Sequence, residues 1–343
     1  MSRLLLALAI QRAPSLRGEE RLLLWDLVPD EGSFAALSPG DLAALLSRRP
    51  SCDWDPRRLL ALAESDAEWL ASKGGRFVVR DEAEYPAALL ETSSPPFGLF
   101  ARGVALPRYA PPVAVVGTRC PTASGIAVAV DLGRSLGSAG IPVISGLARG
   151  IDAAAHRGAL AALGATCAVL PCGIDRVYPP ENRGLAADIL GEGGLILSEY
   201  PPGTELRKYR FPERNRIIAG LARACIVVEA PEGSGALITA DHALGEGRDV
   251  WVAAQLLGGP RSAGIDGLAS DGAPALESAR ELLDDWGMPA GCPAYARTAI
   301  GPRTESALVE RRLAGERSLA EDRRLADELA MGIGLGPSPG VAS

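Results

Sequence analysis

The chain has 343 residues, of which 47% are hydrophobic and 5% aromatic, and its formal net charge is -7. Its apolar content excludes global disorder, and no apolar stretch approaches the roughly 20 residues that a transmembrane helix needs. The acidic balance argues against a protein that coats nucleic acid or membrane through bulk charge, so any polyanion must meet a local basic patch.

The cysteines and the first residues predict a cytoplasmic protein. The 6 cysteines are scattered without a C-x-x-C pair or a metal-ligand spacing, which is typical of free thiols in a reducing compartment. The opening stretch MSRLLLALAI is like a weak signal peptide, but a charged segment follows it and a small-residue cleavage site does not. We therefore expect the first helix of a domain here, and no structural zinc.

Between Leu4 and about Ala71, apolar residues recur at helical spacing in short runs that prolines interrupt. This pattern predicts a small helical domain over 1–75, of the SAM or helix-hairpin-helix kind. Such a domain can bind a DNA backbone, and it can equally serve packing or dimerisation. A short strand at 77–79 and a segment rich in proline and turn residues at 85–103 then lead into the main domain.

Short apolar runs separated by helix-length segments follow, and this alternation predicts an α/β fold with a parallel sheet and right-handed crossovers. The predicted strands are 113–117, 141–145, 167–171, 195–199, 225–230 and 250–254, with helices near 124–139, after Gly150, from about Pro212 and after Gly235. Ligands of such sheets bind beyond the carboxyl ends of the strands, so the loops after 117, 145, 171, 199 and 230 should share one rim.

The first of these loops is VVGTRCPTASG, 115–125, which leaves a strand at Gly117 and enters a helix. Backbone N–H groups at such a helix start bind anions, Thr118 adds a hydroxyl donor, and Arg119 adds a fork-shaped cation that suits phosphate. The alternative is a tight turn with a solvated Arg119. The turn lacks both G-x-G-x-x-G and G-x-x-x-x-G-K-[ST], which disfavours a nicotinamide or ATP site.

The second loop is SGLARGIDAAAHRGAL, 145–160, in which Gly146 lets the backbone turn closely. Asp152 and His156 are four residues apart, on one face of the following helix. They could act as a base and its orienting partner, which would suggest an enzyme. We favour the alternative, a helix cap and a hydrogen-bonded structural histidine, because no Ser, Cys or second His is matched to them.

The third loop, LPCGIDRVYPPENRGL at 170–185, is predicted as a long ordered loop in which Arg176, Tyr178, Asn182 and Arg183 could face a ligand. Tyr178 could stack on a base, as sites for single-stranded nucleic acid often require. Alternatively, its side chain could pack the loop against the domain.

A cluster of cations occupies KYRFPERNRIIAGL, 208–221. With a helix that begins near Pro212, its first turn contains Arg214, Asn215 and Arg216, where cations oppose the helix dipole. Such a placement makes sense if an anion sits at that helix end. Phe211, just outside this helix, could be a hydrophobic staple or a stacking platform.

The fifth motif, EAPEGSGALITADHALGEGRDVWVAA at 229–254, contains a turn at Ser234 and Gly235 and a helix that includes Thr239. It predicts a second glycine-bearing anion cradle on the same rim. Two cradles together with a basic helix start indicate several phosphates, more than a single nucleotide needs.

Several motifs occur in a fixed order between about Tyr85 and Ala273: YP...PPFGLFARG, VAVVGTR, SGLARGIDAAAH, LPCGIDRVYPPEN, LSEYPPGT, FPERNRIIAGL and VVEAPEGSGALITADHALGEGRDVW. Through this ordered set the chain resembles the DprA/Smf family of DNA-processing proteins. The resemblance implies an extended Rossmann-like domain that binds single-stranded DNA, usually as a homodimer. It also implies a protein without enzymatic activity or cofactor that protects incoming strands during natural transformation and loads the RecA recombinase on them.

The resemblance implies a DNA pocket built from the arginine of the first glycine turn and the residues around the FPxRN helix start, with backbone donors from the glycine turns. In this sequence the expected DNA- and phosphate-binding residues are Gly117, Thr118, Arg119, Gly146, Arg149, Phe211, Arg214, Asn215, Arg216, Ser234, Gly235 and Thr239, with Tyr178 as a base-stacking candidate.

Two features late in the chain differ from the family pattern. Asp266 in AGIDGLAS takes the place of an asparagine that the family commonly shows, which puts a local anion contact in doubt. Many members end in a winged helix, whereas here only a truncated or degenerate version follows a linker. We therefore expect the Rossmann-like domain over 76–287 and a short helical C-terminal segment within 288–343.

The sequence predicts a non-enzymatic single-strand DNA binder that mediates recombination, with no metal or cofactor and no membrane partner. Its rival is a Rossmann-like nucleotide phosphoribohydrolase of the cytokinin-activating type. Those enzymes carry a PGGxGTxxE helix start with a catalytic glutamate, but the corresponding stretch here, PEGSGALITADHA, has no glutamate shortly after the glycine turn. A pyridine-nucleotide oxidoreductase is disfavoured because the glycine fingerprint is missing.

Overall fold

The computed structural model describes residues 3–51, 53–107 and 110–288. Its helices are α1 (Leu4–Arg12), α2 (Gly18–Leu27), α3 (Glu31–Ala36), α4 (Pro39–Leu45), α5 (Pro56–Lys73), α6 (Ala87–Leu90), α7 (Ala123–Ser138), α8 (Ile151–Ala161), α9 (Arg183–Gly191), α10 (Arg210–Leu221), α11 (Gly235–Gly245), α12 (Ala263–Ser270) and α13 (Ala279–Asp285). Its strands are β1 (Gly75–Val79), β2 (Gly98–Gly103), β3 (Val113–Val116), β4 (Val143–Ser145), β5 (Thr166–Leu170), β6 (Leu195–Ser198), β7 (Ala224–Val227), β8 (Asp249–Ala253) and β9 (Ala275–Leu276).

The strands form one sheet in the order β1-β2-β6-β5-β4-β3-β7-β8-β9. Strand β2 pairs antiparallel with both of its neighbours, and all other pairs are parallel. The order of the strands from β5 to β9 is that of a Rossmann sheet, with the topological switch between β3 and β7. The predicted fold class, an extended Rossmann-like parallel sheet behind an N-terminal helical unit, is therefore confirmed.

The N-terminal helices cover one face of the sheet. Helix α1 is apolar nearly all round, and Leu6, Leu8 and Ile10 are fully buried, as expected of a helix that is hydrophobic on every side. Along β5 the side chains alternate between two core clusters: Val169 packs in one, and Leu170 packs in the cluster that contains these helices. This alternation is the two-residue period of a strand that is covered on both faces.

Polar contacts join helix α1 to helix α5 and to the rim of the sheet. Arg12 makes a bidentate pair with the carboxylate of Asp66, with both N–O distances 2.6 Å, and donates to the carbonyl of Pro202 at 2.9 Å. Gln11 donates to the carbonyl of Glu199 at 2.6 Å. These hydrogen bonds attach the N-terminal helical unit to the loop that follows β6.

One predicted helix start was wrong, and some elements were not predicted. Helix α10 begins at Arg210 and not near Pro212, because the first-turn N–H groups have no partner within a helix and a proline there costs no hydrogen bond. The lead-in at 85–103 contributes strand β2 to the sheet, and the third loop ends in helix α9. Both elements follow proline-rich stretches, which hid them.

Other predictions stay open. The division of the chain at 75/76 and at 287/288 remains a prediction, and the expected C-terminal helical segment lies outside the described residues from 289 onward. Within the part of the chain that the structure describes, no helix is both long and apolar enough to cross a membrane.

Candidate functional site

A cavity of about 480 Å³ opens at the topological switch point, beyond the carboxyl ends of β3 and β7. This is the place where open α/β sheets bind ligands. Its wall is formed by the turns after these two strands, the first turns of α8 and α11 with the loop before α8, and most of α10. The lining residues are Val116, Gly117, Thr118, Arg119, Ala148, Asp152, Phe211, Pro212, Arg214, Asn215, Ile218, Pro231, Glu232, Gly233, Ser234, Gly235, Ala236, Ile238 and Thr239.

The first turn of the cavity wall requires glycine at position 117. A Cβ atom there would lie 2.5 Å from Cγ1 of Ile151 and 2.9 Å from the carbonyl oxygen of Glu229. Thr118, which is buried, donates its N–H to that same carbonyl at 2.7 Å. The turn is therefore packed tightly against its neighbours, while the next side chain, Arg119, is exposed at the mouth of the cavity.

The Glu229 carboxylate ties the two turns together. It is only 2% exposed, and it accepts hydrogen bonds from the N–H and the hydroxyl of Thr122 at 2.9 and 3.3 Å. Thr122 in turn caps α7, since its hydroxyl oxygen accepts the N–H of Gly125 at 3.0 Å. The helix start next to Arg119 is thus held in place from the end of β7.

The second turn leads into α11. Gly233 has a φ of 70°, a left-handed conformation that favours glycine, and Ser234 is the N-cap residue, with its hydroxyl oxygen 3.4 Å from the N–H of Ala236. Gly235 begins the helix, and Thr239 lies buried one turn later. The start of α11 points the positive end of its helix dipole at the cavity, as anion sites require.

A cation and two aromatic rings stand at the mouth of the cavity. The guanidinium of Arg119 lies 4.6 Å from the ring centroid of Phe211. The ring of Tyr178, which is 37% exposed, meets Phe211 edge-on at 5.8 Å with an interplanar angle of 68°. We call these three side chains the mouth stack. Partly exposed aromatic rings beside a cation suit the stacking of a base.

Arg214 lies beneath the cavity and is almost completely buried, with 4% exposure. Its Nη1 donates to the carbonyl of Val169 at 2.8 Å, and its guanidinium packs so closely on Gly146 that a Cβ atom there would collide with it. Burial lowers the pKa of Arg214 to about 10, and the negative charge of Asp152 opposes that shift. The side chain is a fixed cation under the cavity and not a solvated clamp.

The structure does not bring every predicted residue into the cavity wall. Asn215 does line it and donates to the carbonyl of Gly235 at 3.2 Å. Arg216 instead pairs with Glu199 at 2.5 Å and donates to the carbonyl of Ser94 at 2.6 Å. Arg149 is exposed and pairs with Glu181.

The two acid–base candidates of the second loop make structural contacts. Asp152 accepts the N–H groups of Gly146 and Ala148 at 3.1 and 3.3 Å, and burial raises its pKa. It is not the cap residue of α8, because Gly150 takes that position and Asp152 bonds the preceding loop instead. His156 is fully buried beside the hydroxyl of Thr166 at 2.7 Å, and burial lowers its pKa to about 3.

Sequence reasoning missed several residues of the site. Glu229 was not predicted as part of the site, although a carboxylate at the end of an apolar strand indicates a buried partner. Ile218 and Ile238 add apolar wall to the cavity, and Glu232 adds a carboxylate. In the ranges that the structure describes, no group of three or more His, Cys, Asp or Glu residues could hold a metal ion.

Comparison with known proteins finds similar chains. Residues 76–287 match a family described as DNA recombination-mediator protein A. The chain is 43% identical to protein Smf of Synechocystis over 219 residues, which are 63% of this chain and 55% of that protein, so the match spans little more than half of the relative.

Two solved structures have a similar fold. The X-ray structure of DNA processing protein A from Streptococcus pneumoniae has a TM-score of 0.65 at 33% identity, covering 81% of this chain and 95% of that one. A structure of DNA processing protein A from Helicobacter pylori, described with a single-stranded DNA binding mode, has a TM-score of 0.55 at 28% identity and covers 62% of this chain and 95% of that one.

Proposed function

Because the chain belongs to the DNA recombination-mediator protein A family, which includes proteins named DprA and Smf, we propose that it binds single-stranded DNA and processes it without catalysing a reaction. The observation that carries the proposal is the mouth stack of Arg119, Phe211 and Tyr178 over a cavity at the switch point of the sheet. The relative from Helicobacter pylori is itself described as binding single-stranded DNA.

The chemistry of the site fits a strand whose bases are unpaired. A base in a single strand exposes its face, and stacking on an aromatic side chain accepts any base. Arg119 contributes a cation for phosphate, and the start of α11 after Ser234 contributes the positive end of its helix dipole. Neither kind of contact reads base edges, so sequence specificity is low. The predicted set of binding residues remains a prediction, and four of its members lie outside the cavity wall: Gly146, Arg149, Tyr178 and Arg216.

Buried acid–base groups also support binding over catalysis. Asp152 accepts backbone N–H groups, Glu229 holds Thr122, and His156 is buried beside Thr166. Each of these groups is engaged in holding a turn or a helix. Release of free base from nucleoside monophosphates would overturn the non-enzymatic part of the proposal.

The wider role rests on the family. The chain protects incoming single strands and loads the RecA recombinase on them, in the cytoplasm and as a homodimer, and these steps serve natural transformation or general recombination. Three experiments test protection, loading and dimer formation separately. They are nuclease protection of single strands, RecA filament formation on strands coated with a single-strand binding protein, and the sedimentation mass of the purified protein.

The binding itself is tested by titrating labelled single-stranded and duplex oligonucleotides at several salt concentrations. Arg119→Ala should weaken binding to all sequences and flatten the log–log salt slope by about 0.7, the value for one phosphate contact on a single strand. Arg280→Ala, which removes the same charge from the exposed face of α13 where Arg280 pairs with Asp284, is the matched control. Equal affinity and slope in both variants would refute the assignment of the cavity.

A further inference from the structure

We propose a second nucleotide subsite outside the cavity, formed by Tyr200, Tyr209 and Arg210 and called here the tyrosine platform. It rests on the proposed function and extends it, because it gives the strand a path beyond the mouth stack. A base that leaves the cavity stacks on Tyr209, and the adjacent phosphate meets Arg210. The strand then runs over the start of α10 toward the β6 side of the rim.

The platform is a cation between two aromatic rings. The guanidinium of Arg210 lies 4.7 Å from the ring centroid of Tyr200 and 5.6 Å from that of Tyr209. Tyr200 is fixed by its hydroxyl, which donates to the carboxylate of Glu213 at 2.7 Å. Tyr209 is 58% exposed, so one ring of the arrangement remains open to a ligand. Stacked aromatic and guanidinium surfaces are what unpaired bases bind.

The platform and the mouth stack share one end of one helix. Tyr209 immediately precedes α10, and Phe211 is its second residue, so their Cα atoms are at most about 7.6 Å apart. Because α10 is a crossover that begins at the carboxyl rim of the parallel sheet, both surfaces lie on that rim. Phe211 contacts the residues after β3 and β5, whereas Arg210 contacts Tyr200 after β6.

Helix α1 holds the loop that carries Tyr200. The carbonyl of Glu199, just before Tyr200, accepts the side-chain amide of Gln11 at 2.6 Å, and the carbonyl of Pro202 accepts Arg12 at 2.9 Å. Arg12 is itself fixed by its pair with Asp66. The inner ring of the platform is therefore preorganised, which reduces the ordering cost of binding.

Charge indicates the direction of the path. On the platform side three cations, Arg207, Lys208 and Arg210, outnumber the exposed carboxylates of Glu205 and Glu213, and Arg207 pairs with Glu205 at 3.1 Å. On the other side of the cavity the exposed acidic residues are Glu232 in the second turn and Asp241 on α11. Since a polyanionic strand is attracted by the first side and repelled by the second, it leaves the cavity over α10.

The test compares a short oligothymidylate of about 2 nucleotides, which the cavity and its mouth can hold, with a long one of about 15, near the upper site size of single-strand binding folds. Tyr209→Ala should weaken binding of the long strand by about 5- to 150-fold, the range for loss of one stacked base. Binding of the short strand should change by less than about 2-fold, because a strand that fills the cavity does not reach the platform. Tyr209→Phe should bind both like the parent protein, because it keeps the ring.

Two further variants separate the possible outcomes. Phe211→Ala should weaken both lengths, and Leu27→Ala, which removes another exposed side chain at the end of α2, should weaken neither. Equal losses at both lengths in Tyr209→Ala would place Tyr209 in the cavity site and overturn the platform, as would an unchanged long-strand affinity. Failure of the parent protein to bind either strand would instead overturn the proposed function, and the platform with it.

Discussion

The guanidinium of Arg119 lies 4.6 Å from the ring centroid of Phe211, although 92 positions of sequence separate the two residues. Arg119 follows strand β3, whereas Phe211 lies in the first turn of helix α10, which precedes strand β7. Their contact joins the turn after β3 and the start of α10 into one surface at the mouth of the cavity.

The ring of Phe211 should carry base stacking. Phe211→Ala is expected to weaken single-strand affinity by about 1–3 kcal/mol, the contribution of one stacked base, whereas Phe211→Tyr keeps a ring and most of the affinity. Fluorescence anisotropy with labelled oligonucleotides measures both. A loss in the Tyr variant as large as that in the Ala variant would contradict a stacking role.

Arg214 and Arg216 should differ in their effect on stability. Removing the buried Arg214 leaves the charge of Asp152 without its nearby cation and the Val169 carbonyl without a donor, so Arg214→Ala should lower the free energy of unfolding by about 3 kcal/mol. Arg216→Ala loses a half-buried pair with Glu199, for which about 1 kcal/mol or less is expected. Urea denaturation of both variants measures the difference, and equal midpoints would refute it.

Acid should destabilise the protein partly through His156. Its pKa is about 3 in the folded state and about 6.5 when unfolded, so the unfolded state binds more protons between these values and stability falls as the pH drops through that window. The expected contribution between pH 7 and pH 5 is about 2 kcal/mol.

Denaturation at several pH values measures the His156 contribution to acid stability. His156→Gln should flatten the dependence on pH in this window, whatever its stability at neutral pH. His242→Gln, which replaces the other histidine of the chain on α11, is the control and should keep the dependence. A slope that is the same in both variants would show that other groups cause the acid loss.

Gly117 should not tolerate a side chain. Gly117→Ala places a methyl group 2.5 Å from Ile151 and 2.9 Å from the Glu229 carbonyl, so the first turn must shift and both stability and single-strand affinity should fall. Gly267→Ala is the control, because a Cβ atom there meets nothing within 4 Å in the middle of α12. It should raise stability by about 0.5–1 kcal/mol. Thermal denaturation measures both, and a stable Gly117→Ala would contradict the packing argument.

Local patterns in the sequence were enough to predict the fold class. Apolar runs such as Val113–Val116 and Ala224–Val227, separated by helix-length segments, are the signature of parallel strands with crossovers. The rim that carries the site followed from the same pattern, because parallel strands end on one side of a sheet. Helix α9 and strand β2 were missed, since proline-rich neighbours hide such short elements from periodicity.

The sequence by itself determined that glycine turns, arginines and aromatic residues gather on one rim of a parallel sheet. Only the tertiary structure decided the role of each. Arg214 and Arg216 look alike in RNR, but residues two apart on a helix of 3.6 residues per turn face different directions, so one is buried under the cavity and the other pairs with Glu199. The burial of each arginine and its hydrogen-bond partners depend on contacts between segments that are distant in the sequence. Local sequence patterns do not show these contacts.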